Sequence, residues 1–485
     1  MKTNATTARM ILVSGVLALY GSGVAAQTPD RSKKPDLGPV QQLTLPAVQQ
    51  FALPNGLKVL VMEKRELPLV QLSLLIDAGT VREDAAAAGI ANMTADMLDE
   101  GAAGKTALEI ADAFEALGAR FSVGGGLHTT TASLRVPVER LTPALQQMAE
   151  VVLQPSFPEE ELDRLRKDRV TRLIRMHDQP QAIAASLFSS TLFGSQHPYG
   201  RNSIGTEQSL DAMSTAQLRA FYDRYYRPNN ATVIVVGDLS AADARKAVEQ
   251  AFGNWKRAEV PAVQLASAAQ VKGRTIYIVD KPGSAQSVIQ FGRIGVPRST
   301  RDYYALEIMN TILGGSFTSR LNQNLRETHG YAYGASSGFD YRPIAGPWVA
   351  ASNVQTVSTG PAISEFMNEL RAIRQPIPQE EFERARNFLA MRFPQGFQSV
   401  AGIAGRLSDV VLYGLPADYF NRYTQNVLAV TKADVERVAR EYIDPENVAI
   451  FVVGDRKAIE EQVRAQNLGE VRFLTVTDVL GPVPQ

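Results

Sequence analysis

Two kinds of hydrophobic pattern alternate along this chain, and their order occurs twice. Compact apolar runs, LKVLVMEK and VQLSLLIDAG near the start and TIYIVDK and SVIQFGRIG past the middle, have the length and β-branched content of strands. Longer stretches with apolar residues at three- and four-residue spacing follow each pair and predict helices. A last apolar run closes each series: ATVIVVGD, ending at Asp238, and VAIFVVGD, ending at Asp455. Gly237 and Gly454 stand 217 residues apart, as do Pro228 and Pro445 (YYRPNN and YIDPEN) and Ser214 and Thr431. The last two each suit the N-cap of a helix. Upstream, FPEEELDRLR and IPQEEFERAR set Arg164 and Arg384 220 apart, and LFG at 192–194 and LYG at 412–414 keep that offset. An ordered series at nearly constant spacing is an internal duplication. Each copy is expected to be α+β, a mixed sheet with helices packed on one side. Thr106-x-x-Glu109 reads as a capping box, and Ser156-x-x-Glu159 as a second.

This pattern divides the chain into a first domain at 45–255, an alanine-rich linker with Pro261 at 256–273, a second domain at 274–475 and a tail at 476–485. Lys2 and Arg9, the apolar run Met10–Tyr20 and the small residues Val24-Ala25-Ala26 make residues 1–26 an expected signal peptide, and 27–44 a flexible leader. A periplasmic location follows from a cleaved signal; a retained signal acting as an anchor is the other reading. The 485 residues exceed what one core supports. Lys+Arg and Asp+Glu are 50 each, so no charge imbalance points to nucleic acid or an anionic membrane. With no cysteine, disulfides, thiolate metal sites and a cysteine nucleophile are excluded.

Chemistry concentrates in LNQNLRETHGYAYGASSGF, Leu321 to Phe339. A helical run passes through Gly330 into an alternating, strand-like run, with Arg326 and Tyr333 on either side of the break. A guanidinium and a phenol are both hydrogen-bond donors at working pH, and together suit a carbonyl that becomes negative. Neither cuts a peptide bond alone. GIANMTADMLDEG, from Gly89 to Gly101, predicts a helix with Ile90, Met93, Met97 and Leu98 on one face and Asn92, Asp96 and Asp99 on another. Oxygen donors of this kind are poor substitutes for imidazole at zinc. Of the histidines, His128, His177, His197 and His329, no two have helical ligand spacing. The first three read as surface or loop residues, with His128 facing solvent from a strand, while His329 is a secondary candidate for substrate contact. Ser319, Ser336 and Ser337 have no base beside them in sequence.

The duplicated halves, LPNGLKVLV, the two VVGD closures and above all SRLNQNLRETHGYAYGASSGF resemble the M16 peptidases, the pitrilysin-like group, in its short-chain bacterial form. The resemblance covers about residues 45–475. It implies two homologous M16-type α+β domains forming half of a clam shell. Family members carry His-x-x-Glu-His in one half and Arg…Gly-x-x-Tyr in the other. Arg326, Gly330 and Tyr333 match the second element. At the first stand Asn92, Ala95 and Asp96, and the third ligand would fall near Thr171 or Arg172. The resemblance therefore implies no metal in this chain. It points to the Arg/Tyr subunit of a heterodimer whose homologous partner supplies zinc and the general base. Arg326 and Tyr333 are the expected catalytic pair. Gly124, Gly125, Gly126, Gly330 and His329 are expected substrate contacts, and the strands ARFSVGGG and YAYGASSGF are expected to face a chamber where an unfolded peptide adds to a sheet edge. The competing expectation is an inert scaffold or a peptide-binding chamber that cleaves nothing.

Overall fold

The computed structural model describes residues 38, 40 and 43–484. The expected signal peptide and nearly all of the leader lie outside the described residues. Among those described, no helix is long and apolar enough to cross a membrane.

Fourteen strands among the described residues build two large sheets and one small hairpin. In the first half, β1 (Gln49–Ala52), β2 (Lys58–Glu63), β3 (Leu69–Ile76), β6 (Arg120–Gly125), β7 (Thr130–Pro137) and β8 (Ala231–Gly237) form a sheet in the order β1-β2-β8-β3-β7-β6. β4 (Gly101–Ala102) and β5 (Lys105–Thr106) make the hairpin. In the second half, β9 (Thr275–Asp280), β10 (Gln286–Ile294), β11 (Ala332–Phe339), β12 (Pro347–Gln355), β13 (Ala449–Gly454) and β14 (Glu470–Leu474) are ordered β11-β12-β10-β13-β9-β14.

The duplication is kept to the residue. β2 runs parallel to β8 with Lys58 opposite Thr232, and β9 runs parallel to β13 with Thr275 opposite Ala449, each partner advanced by 217. The antiparallel ladders β3–β8 and β10–β13 share the same shift, since Gln71 pairs with Val236 and Val288 with Val453. β6 and β11 are thus equivalent edge strands, each paired on one side only, to β7 and β12. The halves differ at the far edge, where β1 joins antiparallel to β2 but β14 joins parallel to β9.

Both faces of each sheet are covered, which is why β8 and β13 are buried along their whole length. One face packs on helices of the same half: Val233, Val235, Leu72 and Leu74 share a core with Met148, Leu218 and Val248. The other face is covered by a helix from the opposite half. Pro180–Phe193 lies on β10 and β13, with Ile183, Leu187 and Phe188 against Val288, Phe451 and Val453. Its counterpart Val400–Tyr413 lies on β3 and β8 of the first sheet. These are the helices that end in the LFG and LYG repeats. The sequence pattern expected helices on one side of each sheet only. The second layer comes from the other copy, and no pattern within one copy carries that information.

Residues 255–272 form no helix or strand. They are pinned to both halves, since Ala258 O accepts from Asn229 (2.9 Å), Ala266 O sits 2.9 Å from His197 Nε2 and Gln270 Nε2 donates to Ile294 O (2.8 Å). Thr106, Ser214 and Thr431 cap their helices in full capping boxes. Ser156 does not: its helix starts at Glu159 with Pro158 at the N-cap, because the Ser156 N–H is held by Gly101 O (2.8 Å).

Candidate functional site

The Leu321–Phe339 stretch folds as a short helix, Arg320–Asn322, that widens into a π-helical turn over Gln323–Thr328 before β11. π-turns of this kind are uncommon and recur at functional sites. Gly330 adopts φ +65°, a left-handed conformation that glycine enters without a Cβ penalty. It ends the turn, with its N–H on Arg326 O (3.2 Å) and the Tyr331 N–H on Leu325 O (2.8 Å). β11 then carries a bulge between Ala332 and Ala335, so that Tyr333 and Gly334 fall outside the regular ladder. A bulge re-aims side chains. Tyr333 projects outward and is 92% exposed.

These two irregularities bring the expected pair together. The Arg326 guanidinium carbon stands 5.4 Å from the Tyr333 ring centre and 4.2 Å from that of Phe317, itself exposed. Arg326 makes one ion pair, with its exposed neighbour Glu327 at 3.4 Å. Its donors are not committed to a buried carboxylate, and cation and phenol share one open face.

Asn322 holds this arrangement and was not singled out by sequence. It is buried, and its amide bonds Ala335 twice, accepting from its N–H (3.0 Å) and donating to its carbonyl (2.6 Å). It also donates to Ser316 O and Ser319 Oγ, both at 3.2 Å. The only sequence signal is an asparagine at a position that the helical periodicity turns inward. Next along the edge, Ser337 donates its N–H to Gly314 O (3.2 Å), and Asn310 Nδ2 donates to Ser337 O (2.9 Å). The outer edge of β11 is therefore filled by its own chain at Ala335 and Ser337. Of the two strands expected to face the chamber, β11 thus has its outer edge occupied, whereas no hydrogen bond among the described residues reaches the outer side of β6.

His329 lies beside the pair but turns away from it. Its ring stacks on Tyr331 (4.9 Å between centres), and Nε2 is 3.9 Å from Glu365, which also accepts from Asn324 with Glu369 (2.9 and 2.8 Å). The glycine triplet divides. A Cβ on Gly125 would collide with the Asn92 side chain, and Gly126 closes a turn through Thr129 O (2.8 Å) and the Thr80 N–H (3.0 Å). Gly124 alone faces open space. His128 is half-buried rather than free in solvent as expected: Nε2 is 2.9 Å from the Tyr199 hydroxyl, and burial, reinforced by Arg342, pushes its pKa down to about 4.

The positions where the resemblance would place a metal do not fit one. Ala95 is buried and has no donor, and the buried Asn92 oxygen finds no hydrogen-bond partner against Gly125. Asp96 is engaged by Arg169 Nη2 at 2.7 Å. Thr171 and Arg172 both face solvent; the nearest buried side chain on that helix is Arg169. Among the described residues no group of three His, Cys, Asp or Glu is arranged to hold a metal ion.

Two register-matched α+β units, one with an arginine–tyrosine face and one with a degenerate metal helix, define a duplicated peptidase fold. The chain belongs to the M16 peptidase family. Residues 58–207 match the insulinase (peptidase family M16) domain, and 212–389 the peptidase M16 inactive domain. A solved peptidase M16 inactive domain from Pseudomonas fluorescens is 30% identical, with a TM-score of 0.79 over 84% of this chain and 98% of that one. A Helicobacter pylori protease has the same fold at 20% identity (TM-score 0.76, 85% of this chain and 100% of that one). An uncharacterized zinc protease of Mycobacterium leprae is 30% identical over 60% of this chain and 66% of its own length. The uncharacterized zinc protease YmxG of Bacillus subtilis is 28% identical over 60% and 69%.

Proposed function

We propose that this chain is the non-zinc subunit of a heterodimeric M16 metalloendopeptidase that degrades peptides or unfolded polypeptides in the periplasm. A homologous partner bearing His-x-x-Glu-His would supply the metal-activated water and its general base. The observation that carries the reading is the exposed Arg326–Tyr333 face in a chain whose other half holds no metal ligands at Asn92, Ala95 and Asp96. An inert scaffold gains nothing from holding an arginine and a phenol together on a π-turn and a bulge.

In this reading the Tyr333 hydroxyl donates to the oxygen of the scissile carbonyl as negative charge develops there. Arg326 donates to a second substrate carbonyl and fixes the peptide's register. A preorganised donor aimed at an oxyanion contributes about 2.7–4 kcal/mol. The free edge of β6 suits an extended peptide that adds as a strand, with Gly124 leaving room for its side chains.

The test is a mixing experiment. This chain alone should cleave no peptide, and should support cleavage when mixed with its partner. Tyr333→Phe, which keeps the ring and removes the donor, should lower kcat roughly 10²-fold with the complex intact. Unchanged turnover in that variant would remove the catalytic role and leave the scaffold reading.

A further inference from the structure

The helices Ile90–Asp96 and Glu159–Met176 are the two elements that the family resemblance would join through a metal ion. In this chain a guanidinium joins them. Arg169, 3% exposed, donates from Nη2 to Asp96 Oδ2 (2.7 Å) and from Nη1 to Gly89 O (3.0 Å). It therefore bonds the last residue of the first helix and the carbonyl that starts it. A planar fork with divergent donors serves both acceptors from one side chain.

The surrounding charges are arranged for a resident monocation. Glu83, also buried, accepts from the Gly89 N–H (3.0 Å) and the Ala91 N–H (3.2 Å), and so caps the same helix from a preceding loop. Arg201 donates to the Glu83 carbonyl (3.2 Å). Asp96 and Glu83 face Arg169 and Arg201 at this helix, with burial pushing the Glu83 carboxyl up to about 7, and Asp99 and Glu100 lie just past its end. A divalent ion placed between the helices would face Arg169 directly. Displacing Arg169 would leave a buried cation without a partner, which costs far more than losing a solvated pair.

We propose that the Arg169 guanidinium replaces the family's metal ion as the cationic cross-link between these two helices and itself excludes a metal from the site. The loss of metal ligands is then only part of why this chain takes no zinc. This inference stands whether or not the chain serves a peptidase partner.

The experiment uses the mature chain by itself. In equilibrium dialysis against micromolar zinc, the triple variant N92H/A95E/D96H, which restores the motif but keeps Arg169, should take up no stoichiometric zinc. The same variant carrying R169M, which removes the guanidinium without adding a ligand, should take up zinc, and R169E should take it up at least as tightly. Uptake of one zinc by the triple variant overturns the exclusion. The cross-link is tested in the otherwise native chain by thermal denaturation. The Asp96 side chain is 39% exposed and that of Arg169 4%. D96A, which strands the buried cation, should therefore lower Tm by about 5 °C or more and by more than R169M does. The double variant D96A/R169M should recover most of the loss. Losses that simply add in the double variant overturn the cross-link. None of these readouts involves Tyr333 or a partner, so they fail independently of the mixing experiment.

Discussion

Asn322 offers the sharpest test of how the arginine–tyrosine face is held. Replacing it with alanine removes the only side chain that pairs both backbone groups of Ala335, which is itself buried. A buried donor or acceptor left without its partner costs about 1–3 kcal/mol, so two such groups put N322A about 2–6 kcal/mol below the native chain. N322D should cost at least as much. It keeps an acceptor for the Ala335 N–H but sets a carboxylate against the Ala335 carbonyl, where the amide had donated. Urea unfolding of the purified chain measures both, through a lowered midpoint at constant slope. A second readout separates placement from stability. Ala335 lies two residues beyond Tyr333, at the end of the bulge. A strand released there should lower partner-supported kcat well below native at temperatures where N322A is still folded, with KM little changed. An N322A chain with native midpoint and native kcat would refute the claim that this amide positions the tyrosine.

Two further outcomes follow from packing and charge. Gly125→Ala should destabilise the chain by about 1–3 kcal/mol, because its methyl group meets Asn92 on the degenerate metal helix, whereas Gly124→Ala should stay within about 0.5 kcal/mol in the same unfolding assay. His128 has its folded pKa pushed down to about 4 from an ordinary 6.5, so the unfolded chain binds its proton first as pH falls. Its contribution is whole above pH 6.5 and is lost between there and about pH 4. Allowing for its partial exposure this amounts to about 1–2 kcal/mol, and His128→Gln should flatten the acid limb of stability against pH across that window.

Much of the architecture was legible in the sequence because the duplication repeats residues whose spacing the ladders preserve. The offset of 217 between the VVGD runs is the offset of the paired strands themselves. Arg326 and Tyr333 were legible because the helix-to-strand break at Gly330 is written in local pattern. What brings them together was not. A π-turn and a bulge each shift the chain by one residue, and propensity does not specify either. Arg169 was hidden in a basic run, RLRKDRVTRLIRM, where only burial distinguishes it from exposed neighbours such as Arg172 and Arg175. His128 failed for a similar reason: its partner Tyr199 lies 71 residues away and Arg342 belongs to the other half.

The crossed helices bear on how the chain comes to be folded at all. Leu60, Met62, Leu75, Ile234 and Val236 are buried and lie outside the core that the first half builds with its own helices. They lie on the strands that Val400–Tyr413 covers or beside them, and that helix is made more than 160 residues after β8. A first copy that folds before the second is in place therefore has one apolar sheet face bare, and it stays bare until most of the second copy is available. Exposed sheet surface of this kind is where nascent chains associate wrongly. A gene encoding a single copy would have faced the same gap, and its product could close it only by trading helices with a second molecule. Fusing two copies into one polypeptide turns that exchange between molecules into an event within one, at a rate no longer set by protein concentration.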